Sequence, residues 1–415
     1  MKHTQLARNV LIAMLLGFSL GLVLYFIPET QYPWVNAYIT QGVLAIGSML
    51  FITSIKLLVV PLIAVSLMYA MTRLDLTHVG RLSFKTLSLY LLTSVLAIVL
   101  AIFFASVFQL GHGLEMSEQV FAPQKSGAMI GQFFADLIPK PILDVIMGRK
   151  LIALIIVSLI VGYALHFMGQ LGKQLTHGVE KLNAGILRLL TILIYLTPVG
   201  VFCLTAQSFA YFGLEMVGVL LKYMLVMIFV LCVHVGITST ILLRWMSGLN
   251  IKTFFKKMST AMLVAFSTTS SNVALPVSLD TVENKLGVSK PIASFAMPMG
   301  ATLNMDGGAV LQGMATIFIA NYYGIDFSLI DYGMIVIAAL IATVGTAGVP
   351  SVGPVMLVFV LQWMGLPLEG IGLILGVDKF LEMFRTTVNI TGDAMVACAV
   401  ASSENALDRK IYNAP

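Results

Sequence analysis

The sequence predicts an all-α membrane protein with eight transmembrane helices plus two re-entrant helical hairpins. Three observations carry this expectation. Of 415 residues, 59% are hydrophobic and only 10% are charged, whereas a soluble domain carries about a quarter charged residues. Apolar runs of span length recur along the chain, and strand-sized alternating segments are absent, which selects a helical bundle over a barrel. Two further apolar segments are split in the middle by polar, glycine- and proline-containing centres. The net charge of +5 falls in loops and termini, so it reads as an orientation signal and not as a nucleic-acid surface.

Spans are expected near residues 8–27, 40–71, 82–110, 151–168, 178–207, 215–245, 291–321 and 369–403. The opening, MKHTQLARNVLIAMLLGFSLGLVLYFI, has the basic start and apolar run of a signal peptide. The run is long and no small-residue cleavage site closes it, so an uncleaved first span is expected. Loop charges then follow the positive-inside rule. Lys2 and Arg8 start inside, and Arg73, Arg81 and Lys85 return there after the second span. Lys173, Lys181 and Arg188 follow the fourth span, Arg244, Lys252, Lys256 and Lys257 the sixth, and Arg409 and Lys410 end the chain inside. The opposite loops carry Glu115, Glu118, Glu215, Asp326 and Asp331. Lys140, Arg149 and Lys150 run against the rule, which leaves the path of residues 111–150 open. Cys203, Cys232 and Cys398 lie in apolar runs without metal or disulfide spacing and read as small core residues. The 24 Met read as packing residues.

The first split segment, 253–288, is interrupted by STTSSNVALP (Ser267 to Pro276), and the second, 332–366, by GTAGVPSVGP (Gly345 to Pro354). Each reads as helix, tip, proline, helix. Broken apolar segments of this length suggest hairpins whose freed backbone groups line a cavity. Lys252, Lys256 and Lys257 before the first and Glu283, Lys285 and Lys290 after it place both ends on the inner side. The second would enter and leave from outside, an inverted-repeat relation. Two ordinary kinked helices are the plainer alternative.

Between the hairpins lies PMGATLNMDGGAVLQG (Pro298 to Gly313). Gly300, Gly307 and Gly308 weaken the helix, while Asn304 and Asp306 bring oxygen ligands into an apolar span. Such oxygens suit hard cations, whereas zinc or copper would want His or Cys, and none of the six His is paired at ligand spacing. An Asn–Asp pair satisfied within the bundle is the alternative. The last span contains GVDKFLEMFRTTVNITGD (Gly376 to Asp393). At about 100° per residue, Asp378, Glu382, Arg385, Asn389 and Asp393 share a stripe roughly 80° wide. A charge at mid-membrane costs about 2.5–3.5 kcal/mol on insertion scales, so this ladder must face a protein interior or an aqueous cavity.

Four of these motifs in register (NMDG at Asn304 to Gly307, SSNVALP, GTAGVP and RTTVNITGD at Arg385 to Asp393) resemble the dicarboxylate/amino acid:cation symporters, a family that includes the glutamate transporters. The resemblance covers essentially the whole chain, with SLYLLTS (Ser88 to Ser94) and TPVGVF (Thr197 to Phe202) in step. It implies a homotrimer in the cell inner membrane with both termini cytoplasmic. A scaffold of residues 1–81 and 111–210 would hold a mobile transport domain of 82–110 (third span), 211–251 (sixth), hairpin 252–290, broken span 291–327, hairpin 328–367 and 368–415. Arg385 would hold a substrate side-chain carboxylate, a role that suits a guanidinium's paired donors. Asn389 with the first tip at Ser270 and Ser271 would take the main-chain carboxylate, Glu382 the ammonium, and Thr386 would assist. The second tip, around Val349 and Gly353, would close over the substrate. One sodium site resembles Asp393 with Asn304 and Asn389; a second, Asp306 with Tyr90, Thr93 and Ser94. A third resembles carbonyls of Thr302 and Met305 with Thr343 and Thr346.

The chain departs from the family pattern at three places. Glu382 stands for the usual Asp, which favours a shorter substrate such as aspartate. Gly308 replaces a hydroxyl residue, and neither Thr269 nor Met383 supplies the second arginine of many members. Proton-coupled relatives carry Asn at the position of Asp393, and potassium-countertransporting ones carry Glu at that of Gln312. Two aspartates and no titratable His in the site favour sodium. The expected cargo is L-aspartate or L-glutamate, with a C4-dicarboxylate the runner-up; dicarboxylate carriers of this family lack a carboxylate at the Glu382 position. A channel would need a continuous pore, and no GxSxG, SxxK or HExxH pattern supports an intramembrane enzyme. Lys222, His166 and His234 read as snorkelling or locally paired groups. The Asn389–Ile390–Thr391 sequon falls inside a span and is set aside.

Overall fold

The computed structural model describes residues 3–28, 30–72, 80–112, 151–345, 348 and 351–414. Among these the chain is helical, with one isolated antiparallel bridge, Val288 to Leu407. The helices are α1 (His3–Tyr25), α2 (Ala45–Thr72, entered through a π-helical segment Val35–Leu44), α3 (Gly80–Val107) and α4 (Leu151–Ala164). Then come α5 (Gly169–Ile194), α6 (Thr197–Phe212), α7 (Glu215–Ser239), α8 (Ile251–Thr268) and α9 (Ser271–Asn284). The rest are α10 (Lys290–Leu303), α11 (Asp306–Tyr322), α12 (Leu329–Val344), α13 (Val352–Trp363), α14 (Ile371–Ser403) and α15 (Arg409–Asn413).

Among the described residues, Arg8–Tyr25, Val35–Tyr69, Gly80–Val107 and Glu215–Met246 are helical stretches long and apolar enough to cross a bilayer. The fifth expected span, 178–207, is not one straight helix. It breaks at Tyr195 and Leu196, where α5 and α6 meet at 48°. Pro198 in the first turn of α6 explains the break, because a proline ring lacks the N–H and crowds the preceding turn. The expected break in 291–321 falls at Asn304 and Met305, whose backbones leave the helical region between α10 and α11. Residues 113–150, with Lys140, Arg149 and Lys150, lie outside the described residues.

Helix α14 is the hub. It packs against α1, α3, α6, α7, α8, α9, α10, α11 and α13, so its polar face meets protein on nearly every side. Helices α1, α2, α4, α5 and α6 pack mainly on one another. The α1–α6 seam uses small residues: a Cβ at Gly17 would lie 2.7 Å from the Phe202 carbonyl oxygen, and one at Gly21 2.6 Å from that of Ala206. Spacing two glycines four apart lets backbones approach where lipid supplies no hydrophobic drive for association. Cys203 and Cys398 are buried as expected, but Cys232 on α7 is exposed and is not a core residue.

Several basic loops gather at one end of the molecule. Lys257 Nζ, in the first turns of α8, donates to the carbonyls of Lys285 (3.0 Å) and Ile411 (2.8 Å), which ties the start of α8 to the end of α9. Arg409 Nη2 donates to the Ser247 carbonyl at 2.7 Å. Lys85 hydrogen-bonds Glu404 and holds its carboxyl below the usual carboxylate range. That tie is therefore complete at neutral pH and is lost as the pH falls through the lowered value.

Replacing Gly21 by Leu should cost about 1–3 kcal/mol through overpacking, read as a lower melting temperature in detergent. Gly218→Ala, where a Cβ meets nothing within 4 Å, should leave melting unchanged or raise it.

Candidate functional site

All five members of the α14 stripe are buried: Asp378 is 4% exposed, Glu382 7%, Arg385 4%, Asn389 7% and Asp393 1%. Their pairing begins within the helix. Arg385 Nη2 donates to Asp378 Oδ1 at 2.6 Å, two turns away on the same face. Lys379 Nζ donates to Glu382 Oε2 at 2.5 Å and lies 3.3 Å from Thr269 Oγ1 of the first tip. Glu382 Oε1 accepts from the Ser351 backbone N–H of the second tip. Arg385 Nε has no hydrogen-bond partner among the described residues. A buried donor of this kind loses its full hydration on folding, so a partner arriving from solution would be bound strongly.

The two tips meet each other. Thr269 ends α8 in the left-handed region (φ 53°), and Ser270 starts α9 as its cap, its Oγ accepting from Val273 N at 3.3 Å. Ser270 Oγ also donates to the Gly348 carbonyl at 3.0 Å, and Asn272 N donates to the same oxygen at 3.1 Å. Ser351 opens α13 with φ 63°. Gly353 follows, and a Cβ there would lie 2.9 Å from Arg385 Nη1. Gln312 Nε2 donates to its carbonyl at 3.2 Å. The result is a small cavity bounded by Arg385, Thr386 and Asn389 of α14, Met305 and Gly308 at the α10–α11 break, and both tips. Of the expected substrate residues, Glu382, Arg385, Thr386, Asn389, Ser271 and Gly353 line this cavity, and Ser270 lies behind it on the tip-to-tip contact. Val349 and Thr346 lie outside the described residues.

Behind the cavity lies an oxygen-rich cluster. The break leaves Asp306 in the first turn of α11, where a helix N-terminus favours a carboxylate. Ser94 Oγ donates to Asp306 Oδ1 at 2.7 Å, and Thr93 Oγ1 lies 3.2 Å from Asn304 Oδ1 and 3.4 Å from Asp306 Oδ1. Asn304 Nδ2 donates to Asp393 Oδ1 at 2.9 Å, and Asn389 Oδ1 accepts from Gly307 N at 2.7 Å. Asn389 Nδ2 points at Met305 Sδ, 3.2 Å away. The structure therefore brings Asp306, Asn304, Thr93, Ser94, Asp393 and Asn389 into one buried region. Tyr90 is buried beside it, its hydroxyl donating to the Ala296 carbonyl at 2.9 Å. Of the third set, Thr346 lies outside the described residues. The Thr302 and Thr343 hydroxyls donate back to their own helices, at 2.9 Å to Met299 O and 2.7 Å to Ala339 O, and the Met305 carbonyl accepts from Ala309 N.

One expectation is overturned. His234 is not a snorkelling or locally paired group, and the site does contain a histidine. Its ring is 1% exposed and its Nε2 lies 3.1 Å from Asp306 Oδ2. The contact joins residues 72 positions apart, so no local spacing could announce it. Lys379 was visible in the ladder but falls outside the 80° stripe; its three-residue spacing from Glu382 was the available signal. His166 is bonded at 3.3 Å to the Tyr163 carbonyl, three residues away, and Lys222 is exposed.

The model of the sodium:dicarboxylate symporter family matches residues 6–403. This chain belongs to that family. It is 30% identical, over 98% of its length and 94% of the relative's, to the proton/glutamate-aspartate symporter of Escherichia coli (strain K12). It is 29% identical over 97% of its length and 96% of the relative's to the proton/sodium-glutamate symport protein of Bacillus caldotenax. It is 25% identical over 97% of its length and 94% of the relative's to the C4-dicarboxylate transport protein of Bacillus subtilis (strain 168). Transport, and not catalysis, is the business of the family.

Gly300→Ala tests the packing of the polar cluster, because its Cβ would come within 2.4 Å of Asp393 Oδ1 and 2.7 Å of the Tyr90 hydroxyl. Destabilisation of about 1–3 kcal/mol is expected from the overpacking. Gly308→Ala, whose Cβ has only an ordinary contact at 3.5 Å, should melt close to the unaltered protein.

Proposed function

We propose that the protein is a secondary symporter that imports an acidic amino acid, L-aspartate or L-glutamate, together with sodium ions. The observation that carries this reading is Arg385: a guanidinium 4% exposed, its Nε unpartnered, on the wall of a small polar cavity. Two parallel N–H donors in a low-dielectric pocket match a carboxylate. The substrate's side-chain carboxylate displaces Asp378 from Arg385, its main-chain carboxylate takes Asn389 and the backbone of the first tip, and its ammonium takes Glu382, with Thr386 nearby. Sodium ions bind the two carboxylate-centred oxygen clusters at Asp393 and Asp306, which offer the hard oxygen ligands such ions take. The backbone carbonyls of Thr302 and Met305 with Thr343 and Thr346 form a third ion site.

The mechanism is an elevator. A scaffold of residues 1–81 and 111–210 stays fixed in a trimer in the inner membrane, with both termini cytoplasmic. The remainder, including α3, α7 and α14, carries the site across. In this reading α8–α9 and α12–α13 are the re-entrant hairpins and the chain spans the bilayer eight times. The preferential packing of α1, α2 and α4–α6 on one another supports the division. Lys257 reaching from α8 to the carbonyl after α9 supports a hairpin whose ends share one side. Each net positive charge entering with the substrate contributes about 2.3 kcal/mol per 100 mV of membrane potential. A second reading, C4-dicarboxylate uptake or proton coupling, is supported by the names of relatives from B. subtilis and E. coli.

The test is uptake into liposomes of aspartate, glutamate, succinate and serine, with and without a sodium gradient, at several fixed pH values. Sodium-dependent uptake of aspartate or glutamate is expected; uptake driven by a pH gradient alone would reject sodium coupling. Arg385→Ala should reduce acidic-substrate uptake by about 100-fold or more, the scale of removing one partner from a buried charge pair, and should also lower the melting temperature, because Asp378 is left buried without its partner. Normal aspartate uptake in that variant would remove the recognition scheme. Asp393→Asn should raise the half-saturating sodium concentration by roughly tenfold or more, since ligand charge sets cation affinity.

A further inference from the structure

Glu382 is already occupied from within. Lys379 Nζ lies 2.5 Å from its Oε2, the two side chains being 10% and 9% exposed. The same ammonium reaches Thr269 Oγ1 at 3.3 Å, so it lies directly behind Thr269 and Glu382, which line the cavity, and itself faces a separate crevice with Asp378 and Ser351. The adjacent residue, Asp378, places its carboxylate on Arg385 at 2.6 Å. Two consecutive residues thus present a carboxylate and an ammonium to the two groups that the proposed function assigns to a substrate's carboxylate and ammonium. Positions 269 and 383 are Thr and Met, and among the described residues Lys379 is the cation paired with Glu382.

A buried carboxylate without a partner is strongly destabilising, because its hydration is lost and nothing replaces it. An amino acid solves this for Glu382 with its own ammonium. A dicarboxylate has none to offer, and would set two more negative charges beside an uncompensated one. Lysine removes the difficulty: its compact charge on a flexible four-carbon stem can stay on Glu382 or swing away.

Resting on the acidic-substrate reading above, we propose that Lys379 is a specificity-determining residue that gives the site two cargo classes. An acidic amino acid displaces Lys379 from Glu382 and Asp378 from Arg385. A C4-dicarboxylate displaces Asp378 alone, and Lys379 remains on Glu382 as the ammonium that the substrate lacks.

The experiment is binding of L-aspartate and of succinate, each by ligand-induced thermal shift and by competition in liposome uptake, on the full-length protein in sodium. The unaltered protein should bind both. Lys379→Met should weaken succinate by roughly tenfold or more, a like-charge penalty without its counter-ion, while aspartate binds as well or better. Lys379→Arg should keep succinate. Adding Glu382→Gln to Lys379→Met should restore succinate and not aspartate, a result that also answers for a single variant that folds poorly. Parallel losses of both ligands in Lys379→Met, or undiminished succinate binding, would overturn the proposal. Aspartate binding without succinate binding in the unaltered protein would overturn it as well, and leave the acidic-amino-acid reading standing. Binding of neither would fell that reading together with this one.

Discussion

The structure depends on how four ionised side chains are kept inside a single helix. Asp378, Lys379, Glu382 and Arg385 occupy two turns of α14, and each is paired with another of the four. The pairing is local, which spares the bundle from having to bring a counter-charge from elsewhere for each group. It is also incomplete: Arg385 Nε is left without a partner and Glu382 needs the Ser351 N–H as well as Lys379. A buried set that is nearly but not fully satisfied is poised to accept something from outside. The surrounding elements follow from that constraint. Helices crowd α14 on all sides because lipid cannot face it, and the two tips cover the gap where its polar groups would otherwise meet water.

The oxygen cluster obeys the same logic one layer deeper. Interrupting a helix at Asn304 and Met305 frees backbone dipoles and turns Asp306 into the first turn of α11. Ser94 and Thr93 from α3 and His234 from α7 then share the cost of holding it, while Asp393 and Asn389 from α14 bond the Asn304 side chain and the Gly307 amide of the same break. His234 Nδ1, on the ring's far side, has no partner among the described residues. One carboxylate oxygen of Asp306 faces hydroxyls and the other faces an imidazole, so α3, α7 and α11 are joined at a single group.

Much of this was legible in the sequence because the relevant penalties are local. Charges at helical spacing in an apolar run announce a buried polar face, and Gly, Asn and Asp clustered inside a span announce a broken helix. The bend between α5 and α6 was not anticipated at Pro198, because the apolar run through it is smoother than the backbone it encodes. What escaped was pairing across distance. His234 on Asp306 is invisible to periodicity, and the exposure of Cys232 depends on which face of α7 turns away from α3 and α14. The mutual neutralisation of Lys379 and Glu382 was readable by spacing, yet its position against Thr269 depends on where the first tip comes to rest.

The meeting of the two tips has an evolutionary corollary. The Gly348 carbonyl receives Asn272 through its main-chain amide and Ser270 through a hydroxyl, so the latch is built largely from the polypeptide's common skeleton. The same tips also touch the charged face of α14, the Ser351 N–H through Glu382 and Thr269 Oγ1 through Lys379. Exchange of a charged side chain on that helix therefore reaches the contacts of the tips as well as the cavity wall, so the two are inherited together.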